Sequence, residues 1–227
     1  MVSFAVVSPR TRRLRQQGDE MANAVPGSAG YEEEAGELAQ RYERLQFEQV
    51  HHDVLHLLPA VPANVVDIGA GSGRDAAALA RRGYRVVAVE PTDALRKEGE
   101  RLHAGLSIRW VDDSLPALRI LRAEGGRHDL ILLSAVWMHL DEAERAEGMA
   151  ALAALLAPGG IAILSLRHGP VPAGRRMFEV SADETIALGR DHGLVQCHCA
   201  RRDDAQGRAD VHWSVVALQR PRVAPPR

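Results

Sequence analysis

The stretch VVDIGAGSGRDAAALARRGYRVVAVEP, residues 65–91, places a glycine-rich loop between two apolar segments. Asp67 precedes three glycines at positions 69, 71 and 73, and Glu90 ends the second apolar segment. Short apolar runs on either side of a loop and an Ala/Arg-rich helical stretch are typical of a strand–loop–helix–strand unit. In a parallel sheet such a loop lies at the carboxyl edge, where ligands bind. The stretch therefore predicts a site for a nucleotide-like ligand.

Two common phosphate-binding loops do not fit this spacing. A P-loop carries Lys followed by Ser or Thr after its last glycine, whereas Arg74 and Asp75 follow Gly73. A dinucleotide-binding loop spaces its small residues as G-x-G-x-x-G, and the third of these positions, counted from Gly69, is the bulky Arg74. The spacing therefore disfavours both ATP-type and NAD-type ligands.

Strand-like and helix-like segments alternate along the rest of the chain. The predicted strands are 64–68, 85–90, 107–111, 129–134 and 161–166. The predicted helices between and after them are 74–82, 92–102, 115–123, 141–156 and 181–191. This alternation predicts an α/β fold with a doubly wound, Rossmann-like sheet that is mostly parallel. Two apolar segments around 194–201 and 211–220 flank a polar stretch and predict a C-terminal antiparallel hairpin strand.

The segments divide the chain into one domain with short extensions. We predict a disordered leader (1–30), a single domain (31–220) that begins with a helical lid (31–59), and a disordered tail (221–227). The lid shows helix periodicity that slips near residues 44–47, which predicts two helices ended by Pro59. The arginines of the leader follow its apolar run, the reverse of a secretory signal, and Met21 is an alternative start.

Composition and charge narrow the classes of partner and the compartment. The chain has 28 Lys and Arg against 30 Asp and Glu and is 4% aromatic, which disfavours a nucleic-acid partner. No apolar stretch reaches the length of a membrane span. Cys197 and Cys199 are too close for a structural disulfide, so the cytoplasm is the predicted compartment. Because strand residues alternate faces, His198 cannot converge with both cysteines, and we expect no metal site.

The string Asp67-x-Gly69-x-Gly71-x-Gly73 resembles motif I of the class I S-adenosylmethionine (SAM)-dependent methyltransferases. Glu90 at the end of the second strand and the APGG turn at 157–160 agree with this family at the right distances. The resemblance covers roughly residues 40–219. It implies SAM as the cofactor and S-adenosylhomocysteine (SAH) as the product.

The resemblance also implies which residues contact SAM. The family acid after the first strand, here Asp67, helps to orient the amino-acid tail, and the acid after the second strand, here Glu90, accepts hydrogen bonds from the ribose hydroxyls. An acid after the third strand accepts from the adenine amino group, and Asp112 and Asp113 are both candidates, with Asp113 the better match. The predicted cofactor-binding residues are Asp67, Gly69, Ala70, Gly71, Gly73, Glu90, Pro91, Asp112, Asp113, Ser114 and Ser134.

The loop after the fourth strand, SAVWMHLD, resembles a family string in which two histidines are adjacent. Met138 replaces the first and His139 keeps the second. His139 is predicted to be the catalytic base because its ordinary pKa lies near neutrality. A role in packing alone remains the alternative for this histidine.

Residues after the fourth and fifth strands are predicted to bind the methyl acceptor. The predicted acceptor-binding residues are Trp137, Arg167 and His168. With Arg175 and Arg176 a few residues further on, four cationic side chains at one edge indicate an acceptor with a carboxylate or phosphate. Two alternatives stay open, because Trp137 could pack in the core and Arg167 could pair with a lid carboxylate such as Glu48.

The predicted function is methyl transfer from SAM to a small acidic acceptor. A SAM-binding sensor or partner subunit without chemistry is the alternative, and an RNA or protein methyltransferase is a weaker third. Methylation of base amino groups is disfavoured because Ser134-Ala135-Val136-Trp137 lacks the two prolines of the usual recognition string. The sequence leaves a monomer and a homodimer both open.

Overall fold

A computed structural model describes residues 25–28 and 30–222, and seven strands of this part form one sheet. The strands are β1 (Asn64–Ile68), β2 (Arg85–Val89), β3 (Ile108–Val111), β4 (His128–Ser134), β5 (Leu156–His168), β6 (Val195–Asp203) and β7 (His212–Gln219). Their order across the sheet is β3-β2-β1-β4-β5-β7-β6. The first five strands are parallel, and β7 is antiparallel to both β5 and β6. This confirms the predicted doubly wound sheet with an antiparallel hairpin at its C-terminal end.

Helices cover both faces of the sheet. They are α1 (Ala35–Glu43), α2 (Phe47–Val50), α3 (Arg74–Arg81), α4 (Asp93–Leu102), α5 (Arg119–Glu124), α6 (Glu142–Leu155) and α7 (Ala182–Asp191). One apolar core lies between the sheet and α5 to α7, and a second lies between the sheet, α2 and α3. A smaller apolar cluster joins Leu38 of α1 to Leu95 of α4. Within the described residues, no helix is both long enough and apolar enough to cross a membrane.

Local hydrogen bonds explain where the longest helices begin. Asp141 accepts from the backbone N–H of Glu144, and the Glu144 carboxylate accepts from the N–H of Asp141, so the two residues form a reciprocal capping box at α6. Ser181 accepts from the N–H of Glu184 and caps α7. Both helices begin one residue after the starts at 141 and 181 that the sequence predicted.

Three elements differ from the sequence prediction, and one of them is the helix predicted at 115–123, which begins only at Arg119. The fifth strand begins at Leu156 rather than at 161, because Leu156 already pairs with His128 of β4. Regular pairing is interrupted at 157–160 and resumes where Ile161 pairs with Leu130. In the lid, the break between the helices lies at the predicted position, but α2 is only four residues long. A 3-10 turn at Leu55–Leu57 replaces the rest of the predicted second helix.

The predicted leader and tail lie mostly outside the described residues, which omit 1–24, residue 29 and 223–227. Pro26–Ser28 form a 3-10 turn where the sequence predicted irregular chain. Gly27 of this turn lies against His139, since a Cβ added to the glycine would come 3.3 Å from the histidine Cβ. The last residues of the predicted leader therefore contact the domain.

We predict opposite stability changes for two helical glycines. An alanine Cβ at Gly99 of α4 would come 2.2 Å from the rigid Trp110 ring and 2.8 Å from the Ser72 carbonyl oxygen, whereas the space around Gly36 of α1 is open. Gly99→Ala is expected to lower the free energy of unfolding by about 1–3 kcal/mol through overpacking. Gly36→Ala is expected to raise it by up to about 1 kcal/mol through helix propensity. Urea unfolding measures both, and equal effects would contradict the close packing of α4.

Candidate active site

A cavity of about 570 Å³ opens at the carboxyl ends of β1, β2 and β4. Parallel strands bring the loops that follow them to one edge, and such an edge is the usual ligand site of this architecture. The glycine loop lines one end of the cavity, helix α1 covers it, and the polar segment between β6 and β7 lines the other end. Its volume lies within the range of small-molecule sites.

The glycines of the loop meet three different neighbours. All three have positive φ angles, which glycine adopts without strain. A Cβ at Gly69 would clash with Val136, and one at Gly73 would clash with Trp110, whereas one at Gly71 would only touch the Tyr42 ring at 3.5 Å. Gly69 and Gly71 line the cavity and Gly73 does not. The predicted cofactor contact at Gly73 is therefore corrected to a packing role against Trp110.

Glu90 connects the end of β2 to the glycine loop. One carboxylate oxygen accepts from the backbone N–H of Gly71 at 2.8 Å, and the other accepts from that of Thr92 at 2.8 Å. Burial raises the pKa of Glu90, and these donors offset part of that rise. The neighbouring Pro91 and Ala70 also line the cavity, so this predicted group lies together.

Asp67 and Asp75 are two buried acids beside the loop with opposite environments. Burial, together with the charge of Asp75, raises the pKa of Asp67 well above its usual range. Burial alone would also raise the pKa of Asp75, but Arg74 and His51 outweigh it and keep that pKa well below the usual range. Arg74 and His51 contact the Asp75 carboxylate at 2.6 and 2.9 Å.

Ser134 at the end of β4 belongs to the same network. Its hydroxyl donates to the Asp75 carboxylate at 2.7 Å, and both residues line the cavity. The sequence predicted a site role for Ser134 but not for Asp75. Its position in the first turn after a glycine loop was the available signal, since acids there interact with the helix N-terminus.

The two acids after β3 have separate environments. Asp113 is buried, and its carboxylate accepts from the backbone N–H groups of Ser114, Ile120 and Leu121, which caps α5. Asp113 and Ser114 line the cavity. Asp112 has an exposed side chain that pairs with Arg96 at 3.4 Å, outside the cavity lining. The prediction for Asp112 is therefore corrected, because its carboxylate faces solvent.

Helix α1 covers the loop through residues that the sequence analysis did not select. Leu38, Arg41 and Tyr42 line the cavity, and the Tyr42 ring lies beside Gly71. Glu43 accepts from the Ser72 hydroxyl at 2.7 Å, which ties the end of α1 to the loop. The three-to-four-residue apolar spacing of the lid predicted a covering helix but not which side chains reach the ligand.

His139 lies at the cavity wall with both ring nitrogens engaged. Nδ1 lies 2.7 Å from the Arg176 carbonyl oxygen, and Nε2 lies 3.1 Å from the Tyr31 hydroxyl. Because a carbonyl only accepts, Nδ1 carries the proton and Nε2 accepts from Tyr31. Burial, more than the nearby arginines, lowers the pKa of His139. The imidazole is therefore neutral near pH 7.

Trp137 and His168 do not reach the cavity, which corrects both predictions. The Trp137 side chain is fully buried in the core beside Gly148. His168 contacts the Ser214 hydroxyl at 2.9 Å and stacks on His212. Successive strand residues face opposite sides of the sheet. Arg167 faces the cavity, and its neighbour His168 therefore points away from it.

The four predicted cations do not converge as a group. Arg167 lines the cavity and donates to the Pro170 carbonyl oxygen at 2.8 Å. Glu48, the partner named in the alternative for Arg167, instead pairs with Arg82. Arg176 is engaged by the acids of the α6 capping box. Within the part of the chain that the structure describes, Arg167 forms no ion pair, and burial lowers the pKa of its guanidinium.

The segment between β6 and β7 adds a wall that the sequence analysis missed. Asp204 accepts two hydrogen bonds from the Arg208 guanidinium and one from the Trp213 indole N–H at 2.9 Å. These bonds outweigh burial and lower the pKa of Asp204. Arg208 and Trp213 line the cavity. Its polar sequence predicted only a turn, because the sequence alone does not bring this segment to the glycine loop.

The sheet order, the glycine loop and the acid at the end of β2 define a class of SAM-binding fold. Residues 65–160 match the family model described as a methyltransferase domain. A comparison with curated proteins found no match. The matched segment contains the loop, Glu90, Asp113 and His139.

Solved structures support the same fold at low sequence identity. The 1,6-didemethyltoxoflavin-N1-methyltransferase of Burkholderia thailandensis, solved with 1,6-didemethyltoxoflavin and SAH, is 21% identical with a TM-score of 0.63 over 97% of this chain and 93% of that one. A TehB-like SAM-dependent methyltransferase from Corynebacterium glutamicum is 20% identical, with a TM-score of 0.59 over 80% and 96%. A complex of the Haloferax volcanii Trm112 methyltransferase activator with a methyltransferase is 14% identical, with a TM-score of 0.64 over 85% of this chain and 98% of that one.

Residues 65–160 therefore form a methyltransferase domain on a Rossmann-like fold, with SAM as the methyl donor and SAH as the product. Its residues fit this cofactor on two observations. A side chain at Gly71 would occupy the space between the loop and Tyr42. The buried carboxylates of Asp67 and Glu90 line the cavity without an ion pair in the described part of the chain, which suits a cationic ligand. SAM supplies an activated methyl group on its sulfonium.

We predict that Glu90 is required for cofactor affinity. Glu90→Ala removes the acceptor for the N–H groups of Gly71 and Thr92, and for the ribose hydroxyls that the family resemblance implies, and is expected to weaken SAH binding by about 1.5–3 kcal/mol. Glu90→Gln retains one acceptor oxygen and is expected to give a smaller loss. Titration calorimetry measures both, with Glu100→Ala on the exposed side of α4 as the control. Unchanged affinity in Glu90→Ala would contradict this role.

Proposed function

We propose that the enzyme methylates a small acceptor that carries a carboxylate or phosphate. The observation that carries this proposal is Arg167, a cavity-lining guanidinium with no carboxylate partner among the described residues. A planar guanidinium binds such anions in two-point geometry. The reduced pKa of Arg167 also supports it, since an anion would compensate the burial of this charge.

The size and lining of the cavity support a small acceptor. The cavity continues from the glycine loop to Trp213 and Met177, so its walls extend beyond the residues assigned to SAM. These side chains offer apolar surface, and Arg167 lies on the same stretch of wall. The Burkholderia neighbour acts on a small heterocycle, and this likeness supports the same size class.

His139 is proposed as the proton acceptor of the reaction. Methyl transfer is an in-line displacement, for which the protein supplies positioning and proton removal. The neutral imidazole with its Nδ1 proton fixed by the Arg176 carbonyl supports this role. The cofactor contacts are proposed for the predicted residues that line the cavity: Asp67, Gly69, Ala70, Gly71, Glu90, Pro91, Asp113, Ser114 and Ser134.

The acceptor can be sought with methyl-labelled SAM and a metabolite extract separated on an anion-exchange column. We expect the label in the fractions that the column retains. Arg167→Ala should raise the KM of the acceptor by roughly tenfold or more, because the ionic contact is lost, and leave SAH affinity unchanged.

Arg201→Ala is the matched control, since Arg201 is exposed on β6 and lies outside the cavity lining. Label found only in unretained, neutral or cationic fractions would contradict the acidic acceptor. An unaltered KM in Arg167→Ala would remove the role of Arg167.

A further inference from the structure

A second side chain stands between His139 and the acceptor end of the cavity. The Arg176 carbonyl engages Nδ1 of His139, and the Tyr31 hydroxyl engages Nε2. With both nitrogens engaged, the imidazole has no free position from which to touch an acceptor. Tyr31 itself lines the cavity. The Tyr31 hydroxyl therefore offers a path by which a proton from the cavity can reach Nε2 of His139.

Tyr31 is placed by contacts on several sides. Its ring meets the His139 ring edge-on at 5.7 Å between centroids. The Arg175 guanidinium lies over its face at 4.1 Å, and Arg175 also pairs with Glu34. Gly30 makes this possible, because a Cβ there would come 2.3 Å from the Arg175 guanidinium. The hydroxyl is therefore fixed on a rigid surface, as a proton-transfer group needs to be.

We propose that Tyr31 is a catalytic residue that relays the acceptor's proton to His139, and that the acceptor atom is a hydroxyl oxygen or an N–H nitrogen. The inference rests on the proposed function and names the chemistry of the acceptor atom. A protic nucleophile must lose a proton when it is methylated, and a relay that ends on a neutral imidazole receives it. An acceptor atom that carries no proton would not need the relay through Tyr31 and His139.

The step balances as a single displacement. A lone pair on the acceptor oxygen or nitrogen forms a bond to the methyl carbon while the carbon–sulfur bond breaks, and the electron pair stays on the sulfur of SAH. The acceptor proton moves to the Tyr31 oxygen as the Tyr31 proton moves to Nε2 of His139. The products are the methylated acceptor, SAH and an imidazolium that later returns its proton to water.

The resting protonation states agree with this direction of transfer. Burial raises the pKa of Tyr31 well above its usual range, so the phenol keeps its proton until His139 takes it. Burial lowers the pKa of His139, so the imidazole is free to accept. The charged and titratable groups that face the pair are Arg175 and Arg176 around His139, and Tyr42, Arg175, Glu90 and Arg41 around Tyr31.

The decisive measurement needs only SAH. In histidine-labelled protein saturated with SAH, nitrogen NMR should show His139 as the neutral Nδ1–H tautomer at pH 7, with its signal assigned through His139→Gln. Tyr31→Phe should shift the Nε2 resonance because the donated hydrogen bond is lost. Tyr84→Phe is the matched control, since its buried hydroxyl donates to the Pro59 carbonyl outside the cavity. An Nε2–H tautomer, or an unmoved resonance in Tyr31→Phe, would overturn the relay.

Kinetics with the anion-exchange fractions then test the chemistry. Tyr31→Phe and His139→Gln should each lower kcat by about 10²–10⁴-fold without changing SAH affinity, and the double variant should be no slower than the worse single one. The wild-type pH profile should rise with deprotonation of His139, and this limb should vanish in Tyr31→Phe. Wild-type kcat in Tyr31→Phe would overturn the relay. Wild-type enzyme inactive on every retained fraction would contradict the proposed acceptor class instead, and the tautomer measurement would then decide the relay.

Discussion

The carboxylate of Glu90 is the constraint on which the cofactor end of the molecule depends. It accepts from Gly71 in the loop and Thr92 before α4, so one buried acid fixes the geometry of two backbone segments. Hydrogen bonds to a charged acceptor contribute about 1.5–3 kcal/mol each. Helix α4 in turn packs against α1 through Leu95, and its Gly99 approaches the Ser72 carbonyl. The loop, the second strand and the lid are therefore held together by direct contacts.

The opposite end of the cavity is closed by contacts between segments far apart in sequence. Tyr31 and His139 are separated by 108 positions, and Glu34 and Arg175 by 141. Ordering such segments costs chain entropy that only tertiary contacts offset. Arg176 adds a third link, because it pairs with the acids that cap α6. The acceptor end thus depends on tertiary contacts, whereas the cofactor end follows from one local motif.

This difference explains what the sequence could predict. The glycine spacing, the strand–helix alternation and the cap at Asp141 are local signals, and they located the sheet, the loop and most helix starts. Side chains alternate between the two faces of a strand, so Arg167 and His168 of β5 cannot both face the cavity. The sequence alone therefore showed that only one of these two predicted residues could bind the acceptor. The sequence left a packing role and a site role open for both Trp137 and His139, and only the fold separates them, with Trp137 in the core and His139 at the cavity. Tyr31 and Trp213 gain their positions only from the fold.

The charges of the cavity differ between its two ends. At the loop end, Asp67 and Glu90 form no ion pair within the described residues, and burial raises the pKa of both. Burial destabilises their ionised forms, so a cation bound there would recover part of that energy. SAM carries an ammonium and a sulfonium. At the other end the positive charge of Arg167 lies in the cavity wall without a carboxylate partner among the described residues, and burial lowers its pKa. A cationic donor at the loop end would offset the burial of Asp67 and Glu90, and the anionic acceptor proposed above would pair with Arg167, so charge complementarity would favour the placement of the two reactants at opposite ends of the cavity.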